Sequence, residues 1–415
     1  MDIAPVGTHQ SDTAVTQLVL DQNRKRRRIK ENIQGYLFVA PSAILISLFG
    51  IFPIFFTVYV SLHKWRLRKG GLIGAANFGE ALGSAVWPLV LVGGTVALVS
   101  AGILLGRVRE RARSSSSQRR RSDTALGVLG WLIVAGGLSA IAIALPQIWS
   151  LGDDKMLKSL RITISYAVGT VPIQLVFGLL LAVLLDQKFK GRQFFRVVFL
   201  LPYIVPTVAS AAIFQVLLSL RPESFANLLI GIFGAEPLGW LGERHGVFQM
   251  FFNWGAGETA TTFAEYWQEW IQGPPLALVS IMIFNYWVFI GYYALIYSNG
   301  LSNIPKQLYE AAEVDGAPRR TVLFRIIIPL LSPTTFFLTL LGVIGTLKAF
   351  SHIYVLRNPA TGGATDTMSI YVFFKFFRGG RFGYAAAMAL ILFALVLGLT
   401  FLQRRLMERR IHYGD

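Results

Sequence analysis

Long apolar stretches recur along this chain of 415 residues, and short polar segments separate them. A helix that crosses the hydrocarbon core of a membrane needs about 20 mostly apolar residues. Eight stretches meet that requirement, and they predict an all-α, polytopic membrane protein with about eight transmembrane helices. The predicted spans are residues 36–62, 87–106, 124–149, 160–185, 194–219, 274–299, 329–356 and 383–403.

The composition supports a membrane protein and excludes several kinds of site. Hydrophobic residues make up 54% of the chain and charged residues only 15%, whereas a soluble domain averages about 25% charged residues. The chain has no cysteine, which excludes disulfides, thiolate metal sites and a cysteine nucleophile. Neither a Gly-Lys dipeptide nor a Gly-x-Ser-x-Gly motif occurs, so a Walker A loop and a nucleophile elbow are both absent. We therefore predict no catalytic residue, no metal ligand and no cofactor.

The net charge of +17 is explained by membrane topology and not by nucleic acid. Lys and Arg residues gather in alternate segments between the predicted spans, as expected for cytoplasmic loops. Those segments are 1–35, 107–123, 186–196, 300–325 and the tail from 404. This distribution predicts that both termini are cytoplasmic, although "HKWRLRK" at 63–69 then lies outside and has no explanation. The basic loop Arg107–Ser122 anchors the topology, and contact with anionic membrane lipid is the alternative.

One polar segment, "YEAAEVDGAPRRTVLFRIIIPL" from Tyr309 to Leu330, interrupts the apolar pattern on the predicted cytoplasmic side. Pro305 suits the first turn of a helix, and Pro318 suits the start of a second one. Gly316 lies between them, where a left-handed C-cap requires no Cβ atom. The segment therefore predicts two short helices at the cytoplasmic face, with small alanines that let a partner approach closely.

The spacing Glu-Ala-Ala, three residues, Gly, nine residues, Ile-x-aliphatic-Pro resembles the EAA loop of permease subunits of bacterial ABC importers. The matching positions are Glu310, Ala311, Ala312, Gly316, Ile326, Ile328 and Pro329. In that family the loop forms a coupling helix that docks into a cleft of the ATPase subunit. The resemblance implies coupling roles for Tyr309, Glu310, Ala311, Ala312, Asp315, Gly316 and Arg319.

Three other stretches are similar to carbohydrate-type permeases of the maltose-permease kind. They are "GYLFVAPSAILISLFGIFPIFFTVYVSLHKW", "FKGRQFFRVVFLLPYIVPTVASAAIFQVLL" and "FGYAAAMALILFALVLGLTFLQ". The resemblance implies the type I (MetI-like) permease fold of ABC importers. The predicted divisions are a cytoplasmic tail (1–35), the first span with an outer loop (36–80), a two-span insertion with the basic loop (81–152), and the core permease domain (153–410) with its coupling loop (300–329).

Aromatic and polar residues of the span 276–299 are candidates for the solute path, with plain packing as the alternative. Asn285 is one such polar residue. The family resemblance aligns further residues with positions that line the sugar site of maltose-type permeases: Val288, Phe289, Tyr292, Gly342, Thr346 and Ala349. Several of these positions are polar in that family but small or apolar here, so the sugar, or the way it is held, differs.

Lys348 is the one Lys or Arg in the core of a predicted span, away from its ends, and His352 follows one turn later, which predicts a shared helix face. A charge in the middle of a bilayer costs several kcal/mol. Lys348 therefore either lines the solute path or extends towards the membrane surface.

The resemblance implies a permease subunit of an ATP-driven importer of a sugar or sugar-like solute in a prokaryotic cytoplasmic membrane. The implied partners are a pair of ABC ATPase subunits, a second permease subunit and an extracytoplasmic solute-binding protein. The segment "GETATTFAEYWQEW" (Gly257 to Trp270) is a candidate contact for the last of these. The alternatives are a permease for another solute such as glycerol phosphate, an ATP-independent secondary transporter, a membrane enzyme or a structural membrane anchor.

Overall fold

The computed structural model describes residue 30 and the ranges 32–84, 86–114, 121–187, 189–252 and 270–407. Of residues 109–114, 121–124 and 406–407 it describes the backbone only. Most of the predicted N-terminal tail, the centre of the basic loop, most of "GETATTFAEYWQEW" and the end of the C-terminal tail lie outside these ranges.

The described residues form helices and, apart from two isolated β-bridges, no β-structure. In chain order the helices are α1 (Asn32–Ser61), α2 (Ala76–Leu82), α3 (Val86–Ser114), α4 (Arg121–Leu151), α5 (Asp154–Asp186), α6 (Arg192–Ile204), α7 (Thr207–Leu217), α8 (Phe225–Gly231), α9 (Val247–Phe252), α10 (Leu276–Ser302), α11 (Lys306–Val314), α12 (Arg319–Leu330), α13 (Ser332–Leu347), α14 (Ser351–Leu356), α15 (Met368–Phe377) and α16 (Phe382–Met407). The predicted all-α class is confirmed.

Six of these helices are long and apolar enough to cross a membrane, and two bent pairs bring the number to eight. The bent pairs correct the sequence prediction. The predicted span 194–219 is the pair α6 and α7, which meet at an angle of 94°. The predicted span 329–356 begins earlier, at Arg319, bends by 65° between α12 and α13, and is interrupted again after Leu347.

Proline explains the first bend. Val205 takes an extended conformation (φ −68°, ψ 141°) because the ring of Pro206 disfavours helical geometry in the preceding residue. The second bend follows Leu331, whose ψ of 2° leaves the helical range before Pro333 enters the first turn of α13. The local sequence therefore determines both breaks, although the hydropathy pattern alone predicts one continuous span for each helix pair.

The chain divides into two compact units, residues 1–59 and 60–415. The first unit contains most of α1, whose apolar side chains are largely exposed. The second unit is organised around α5 and α10, which run parallel and approach closely. A Cβ atom on Gly169 would lie 2.8 Å from the Met282 sulfur, and one on Gly178 would lie 2.6 Å from Cβ of Tyr293. These glycines therefore allow the contact between the two helices.

The second unit has two ends. Helix α11, which contains the Glu-Ala-Ala sequence, follows the C-terminus of α10 and defines the coupling end. The opposite end, where α5 and α10 begin, is called the distal end. There α2, α4, α5, α15 and α16 share an apolar cluster that includes Ala81, Ile148, Met156, Met368 and Tyr384. Within the predicted insertion, α3 and α4 cross closely at Gly94 and Gly137, because a Cβ on either glycine would lie 2.9 Å from the other's carbonyl oxygen.

Candidate functional site

Helix α11, which is predicted to be the coupling helix, ends in a Schellman motif. The amide of Ala317 donates to the carbonyl of Ala312 (2.9 Å), and the amide of Gly316 donates to the carbonyl of Glu313 (3.0 Å). Gly316 has a φ of +64°, a left-handed conformation that glycine adopts without steric cost. The predicted helix end at Gly316 is confirmed. Pro318 caps α12 as expected, but α12 is the first part of a bent span and not a separate short helix.

Most of the predicted coupling residues are exposed. Glu310, Ala311, Asp315, Gly316 and Arg319 face solvent, whereas Ala312 is buried and Tyr309 is partly buried. Val314 is 87% exposed in the same helix, and the sequence reasoning did not select it. The position of this apolar residue between two acidic residues, Glu313 and Asp315, is the sequence signal that would have identified it. Helix α11 therefore presents a mixed acidic and apolar surface at the coupling end.

Tyr309 connects that surface to the helices behind it. Its ring packs against the apolar cluster formed by α5, α10 and α12. Partial burial and the negative charge of Asp186 raise the pKa of the Tyr309 phenol. Asp186 ends α5 and pairs with Arg192 at the start of α6, at 2.7 Å. Tyr309 therefore packs α11 against the helices behind it, close to the end of α5.

A buried polar network lies between α5, α10 and α14. The phenol oxygen of Tyr166 is 2.7 Å from Nε2 of His352. Gln174 Nε2 donates to the carbonyl oxygen of Asn285 (3.2 Å) and to its Oδ1 (2.5 Å). Asn285 is thus engaged inside the chain, and a buried polar group must find such partners. The sequence reasoning missed Tyr166 and Gln174 because no local pattern distinguishes them from other residues in an apolar helix.

An aromatic cluster forms beside the bend between α6 and α7. The rings of Tyr203 and Tyr292 are stacked with centroids 4.3 Å apart, and Phe289 meets Tyr203 edge-on at 5.6 Å. Tyr203 is 41% exposed, and Phe289 and Tyr292 are partly exposed. The structure therefore joins two predicted path residues to a third aromatic that the sequence reasoning missed, at a surface rather than in the core.

Of the remaining predicted path residues, four are buried, and one, Lys348, is exposed. Val288, Gly342, Thr346 and Ala349 are buried. A Cβ on Gly342 would lie 2.4 Å from the Tyr293 hydroxyl, so Gly342 permits close helix packing. Thr346 donates its hydroxyl hydrogen to the Gly342 carbonyl at 2.8 Å.

Lys348 is exposed and caps the C-terminus of α13, in a non-helical break that precedes α14. His352 is buried beyond this break. The expectation that Lys348 and His352 share a helix face is therefore wrong, because the helix does not continue between them.

Comparison with known proteins identifies the family. Residues 174–412, more than half of the chain, match the family described as binding-protein-dependent transport system inner membrane component. The chain belongs to this family of ABC importer permeases, as its EAA-type loop indicated.

Named relatives agree with that assignment. The chain is 31% identical to the lactose transport system permease protein LacF of Rhizobium radiobacter over 377 residues, which cover 90% of this chain and 93% of that protein. It is 31% identical to the sn-glycerol-3-phosphate transport system permease protein UgpA of Rhizobium meliloti (strain 1021) over 64% of this chain and 80% of that protein. It is 30% identical to the trehalose/maltose transport system permease protein MalF of Thermococcus litoralis over 58% of this chain and 70% of that protein.

Solved structures confirm the predicted fold. A chain of a bacterial ABC transporter involved in the import of the acidic polysaccharide alginate aligns with a TM-score of 0.50 and 20% identity, over 62% of this chain and 80% of that chain. A chain of a bacterial alginate ABC transporter in complex with alginate pentasaccharide-bound periplasmic protein gives a TM-score of 0.51 and 18% identity, over 72% of this chain and all of that chain. The MetI-like permease fold predicted from the sequence is therefore correct.

Proposed function

We propose that this chain is the permease subunit of an ATP-driven importer that moves a sugar or sugar-like solute across the cytoplasmic membrane of a prokaryote. The observation that carries the proposal is the exposed, Schellman-capped helix α11 with its Glu-Ala-Ala sequence. Relatives named for lactose and for trehalose/maltose support a carbohydrate as the solute. The chain itself is a transport component, and ATP hydrolysis belongs to separate ATPase subunits.

The proposed assembly has four kinds of partner around this chain. Helix α11 docks into a cleft of one subunit of an ATPase pair, and a second permease subunit completes the solute path. A solute-binding protein approaches the distal end, and membrane lipid surrounds the apolar helices. The concentration of Lys and Arg in alternate loops supports an arrangement in which both termini and α11 are cytoplasmic and the distal end faces outward.

The proposed solute path uses the exposed residues of the predicted set. Phe289 and Tyr292, together with Tyr203, offer aromatic faces beside the α6–α7 bend. Lys348 offers an ammonium with three hydrogen-bond donors at the break after α13. The buried members of the predicted set act by holding the helices behind this surface: Asn285, Val288, Gly342, Thr346 and Ala349.

Alternating access is the proposed mechanism. Closure of the ATPase dimer would displace α11, and Tyr309 would transmit that displacement to the junction of α5 and α6. The helices are bent after Ile204 and after Leu330, and in this mechanism the segments on either side of each bend would change their relative angle. ATP then supplies the free energy that shifts the population between inward-open and outward-open states.

A second candidate solute is an anion such as glycerol phosphate. The specific observation in its favour is Lys348, an exposed cation within an apolar helical region. A secondary transporter or a membrane enzyme would have no use for an ATPase-docking helix, so the geometry of α11 argues against both.

Reconstitution tests the proposal. The chain is placed in liposomes with its second permease, its ATPase and its solute-binding protein, and uptake of lactose, maltose, trehalose and sn-glycerol-3-phosphate is measured. Uptake of a sugar that requires ATP and the ATPase supports the main proposal, and uptake of glycerol phosphate alone supports the second. Uptake that persists without the ATPase contradicts both.

A further inference from the structure

The basic sequence "HKWRLRK" lies in a short hairpin at the distal end. The two arms of this hairpin are joined by an antiparallel β-bridge between His63 and Leu72. Gly70 allows the arms to approach, since a Cβ there would lie 2.3 Å from the Lys64 carbonyl oxygen. We call residues 62–73 the basic hairpin. It belongs neither to the proposed solute path nor to the coupling surface.

The basic hairpin is fixed to the first turn of a membrane span. The amide of Gly383, near the start of α16, donates to the carbonyl of Trp65 at 2.9 Å. A Cβ on Gly383 would lie 2.2 Å from the carbonyl oxygen of His63, so glycine is needed for this approach. The side chain of Asn77 on α2 donates to the same oxygen at 3.1 Å. Because α16 is long and apolar enough to cross a membrane, the hairpin lies where that span meets the membrane surface.

Three cations of the basic hairpin can meet a ligand. Lys64, Arg66 and Arg68 are exposed, and within the described part of the chain their side chains form no hydrogen bond and no ion pair. Glu80, an acidic residue on the neighbouring helix α2, is already paired with Arg381. The described residues therefore leave these three positive charges without a counter-ion.

Apolar side chains accompany these cations. Leu67, which lies between Arg66 and Arg68 in the sequence, is 86% exposed. It lies beside the turn between α15 and α16, because a Cβ on Gly380 would lie 3.7 Å from its Cγ. Phe377, at the end of α15, is 68% exposed. Exposed apolar side chains next to cations are typical of segments in the membrane interface, where the apolar groups enter the acyl boundary and the cations meet lipid phosphates.

We propose that the basic hairpin binds the phosphate groups of anionic phospholipids at the distal surface of the membrane. Guanidinium groups bind phosphate oxygens through paired N–H donors, and the lysine ammonium adds a point charge. Leu67 enters the acyl boundary and holds the hairpin against the lipid. The fixed position at the start of a span favours lipid over a docked protein as the source of negative charge. Cations at this end oppose the distribution of Lys and Arg that supports the proposed topology, and lipid binding gives them a role there.

The first experiment measures which lipid lies beside the hairpin in the full chain. Because the chain has no cysteine, Gly71→Cys, at an exposed position where a Cβ meets nothing within 4 Å, can carry a single fluorophore. The vesicles contain equal parts of phosphatidylglycerol and phosphatidylcholine, and only one of the two lipids is brominated in each sample. Brominated phosphatidylglycerol should quench the fluorophore at least twofold more than brominated phosphatidylcholine, because the hairpin cations enrich the anionic lipid.

Variants of the labelled chain test whether the hairpin cations cause that preference. Gln at positions 64, 66 and 68 should abolish it, and Arg66→Lys with Arg68→Lys should retain most of it. The matched control removes three exposed cations elsewhere at the distal end and should leave it unchanged: Lys155→Gln, Arg221→Gln and Arg244→Gln. Unfolding temperatures of the variants show whether each chain is folded.

Three results would overturn the proposal. The first is equal quenching by the two brominated lipids in the wild-type chain. The second is an unchanged preference in the folded hairpin variant, or an equal loss in the control variant, which would show general attraction and no site. The third is an unchanged lipid preference together with weaker docking of the solute-binding protein to the transporter complex, which would assign the hairpin to a protein partner. The lipid measurement involves neither ATP nor solute, so its outcome is independent of the proposed function.

Discussion

Tyr384 donates a hydrogen bond to Asp153, with 2.6 Å between the phenol oxygen and Oδ2. Tyr371 donates to the same oxygen at 3.0 Å. The other carboxylate oxygen accepts from the amides of Lys155 (3.0 Å) and Met156 (3.3 Å) and so caps α5. One carboxylate therefore fixes the start of the central helix α5 to both α15 and α16 at the distal end.

Asp153→Asn should lower the stability of the chain without changing its fold. The amide retains one oxygen for the cap but replaces the oxygen that the two phenols share. Two charge-assisted bonds are lost, and the expected cost is about 1–3 kcal/mol. Thermal unfolding of the detergent-solubilised protein measures the effect, and Asp154→Asn, at the exposed neighbouring position, is the matched control.

The effect of Asp153→Asn should depend on pH. Partial burial opposes ionisation of Asp153, but hydrogen bonds from Tyr384, Met156 and Tyr371 outweigh it and lower its pKa. A lowered folded-state pKa contributes stability that is present above the unfolded pKa and is lost as pH falls through the folded value. The difference between wild type and variant should therefore be full at pH 7 and shrink below about pH 4. A difference that stays constant down to pH 3 would contradict this account of Asp153.

Gly316→Ala should weaken the coupling of α11 to the ATPase, and the cause should be backbone strain at residue 316 alone. A Cβ atom added at Gly316 would have no neighbour within 4 Å, so crowding is not the cause. An alanine held at a φ of +64° costs about 1–2 kcal/mol, which favours loss of the Schellman motif. Gly316→Asn should retain more ATP-dependent uptake than Gly316→Ala, because asparagine enters the left-handed region more readily.

The control for Gly316→Ala is Gly79→Ala, in the interior of α2, where a Cβ also meets nothing within 4 Å. Gly79 lacks a positive φ, so alanine should be neutral or slightly stabilising there. Equal uptake by the alanine and asparagine variants at position 316 would show that the left-handed cap is not the important feature.

Glu310→Lys should abolish transport and leave membrane insertion intact. Glu310 is exposed on α11, and reversal of its charge opposes docking on a basic site of the ATPase. Co-purification of the ATPase and uptake in reconstituted liposomes are the measurements. Glu236→Lys makes the same reversal at an exposed distal position, away from α11, and should co-purify with the ATPase at wild-type yield. Wild-type ATPase yield together with wild-type uptake in Glu310→Lys would refute the docking assignment.

The sequence predicted features whose cause is local. Hydropathy located the spans because membrane crossing requires a minimum apolar length. Gly316 and Pro318 marked helix boundaries because glycine can adopt a left-handed conformation and proline restricts its own φ angle. The stack of Tyr203 on Tyr292 and the contact of Tyr166 with His352 were not predicted. These pairs join residues far apart in sequence, and their meeting depends on how the bent helices pack.

Deletion of residues 81–152 should leave the rest of the chain inserted in the same orientation, because an even number of spans is removed. The deletion also removes Ala81 and Ile148 from the distal apolar cluster, together with the bond from the Asp153 amide to the Ala81 carbonyl (3.1 Å). We therefore expect a lower unfolding temperature with unchanged topology. Accessibility of a tag placed beyond residue 160 is the measurement, and a tag that changes sides would contradict the prediction.

Lys348→Met tests whether the exposed lysine after α13 contacts the solute. Methionine retains much of the stem volume and removes the ammonium, which carries three hydrogen-bond donors. If Lys348 lines the path, coupled uptake should fall at least tenfold, while expression stays normal or improves because the cost of placing a charge within the membrane disappears. Lys155→Met, which removes an exposed lysine at the distal end, is the matched control and should transport normally.

If Lys348 instead extends to the membrane surface, uptake should remain within about twofold of wild type, well below the roughly 1.4 kcal/mol that a tenfold change represents. That result would remove Lys348 from the solute path and leave the aromatic cluster of Tyr203, Phe289 and Tyr292 as its remaining candidate surface.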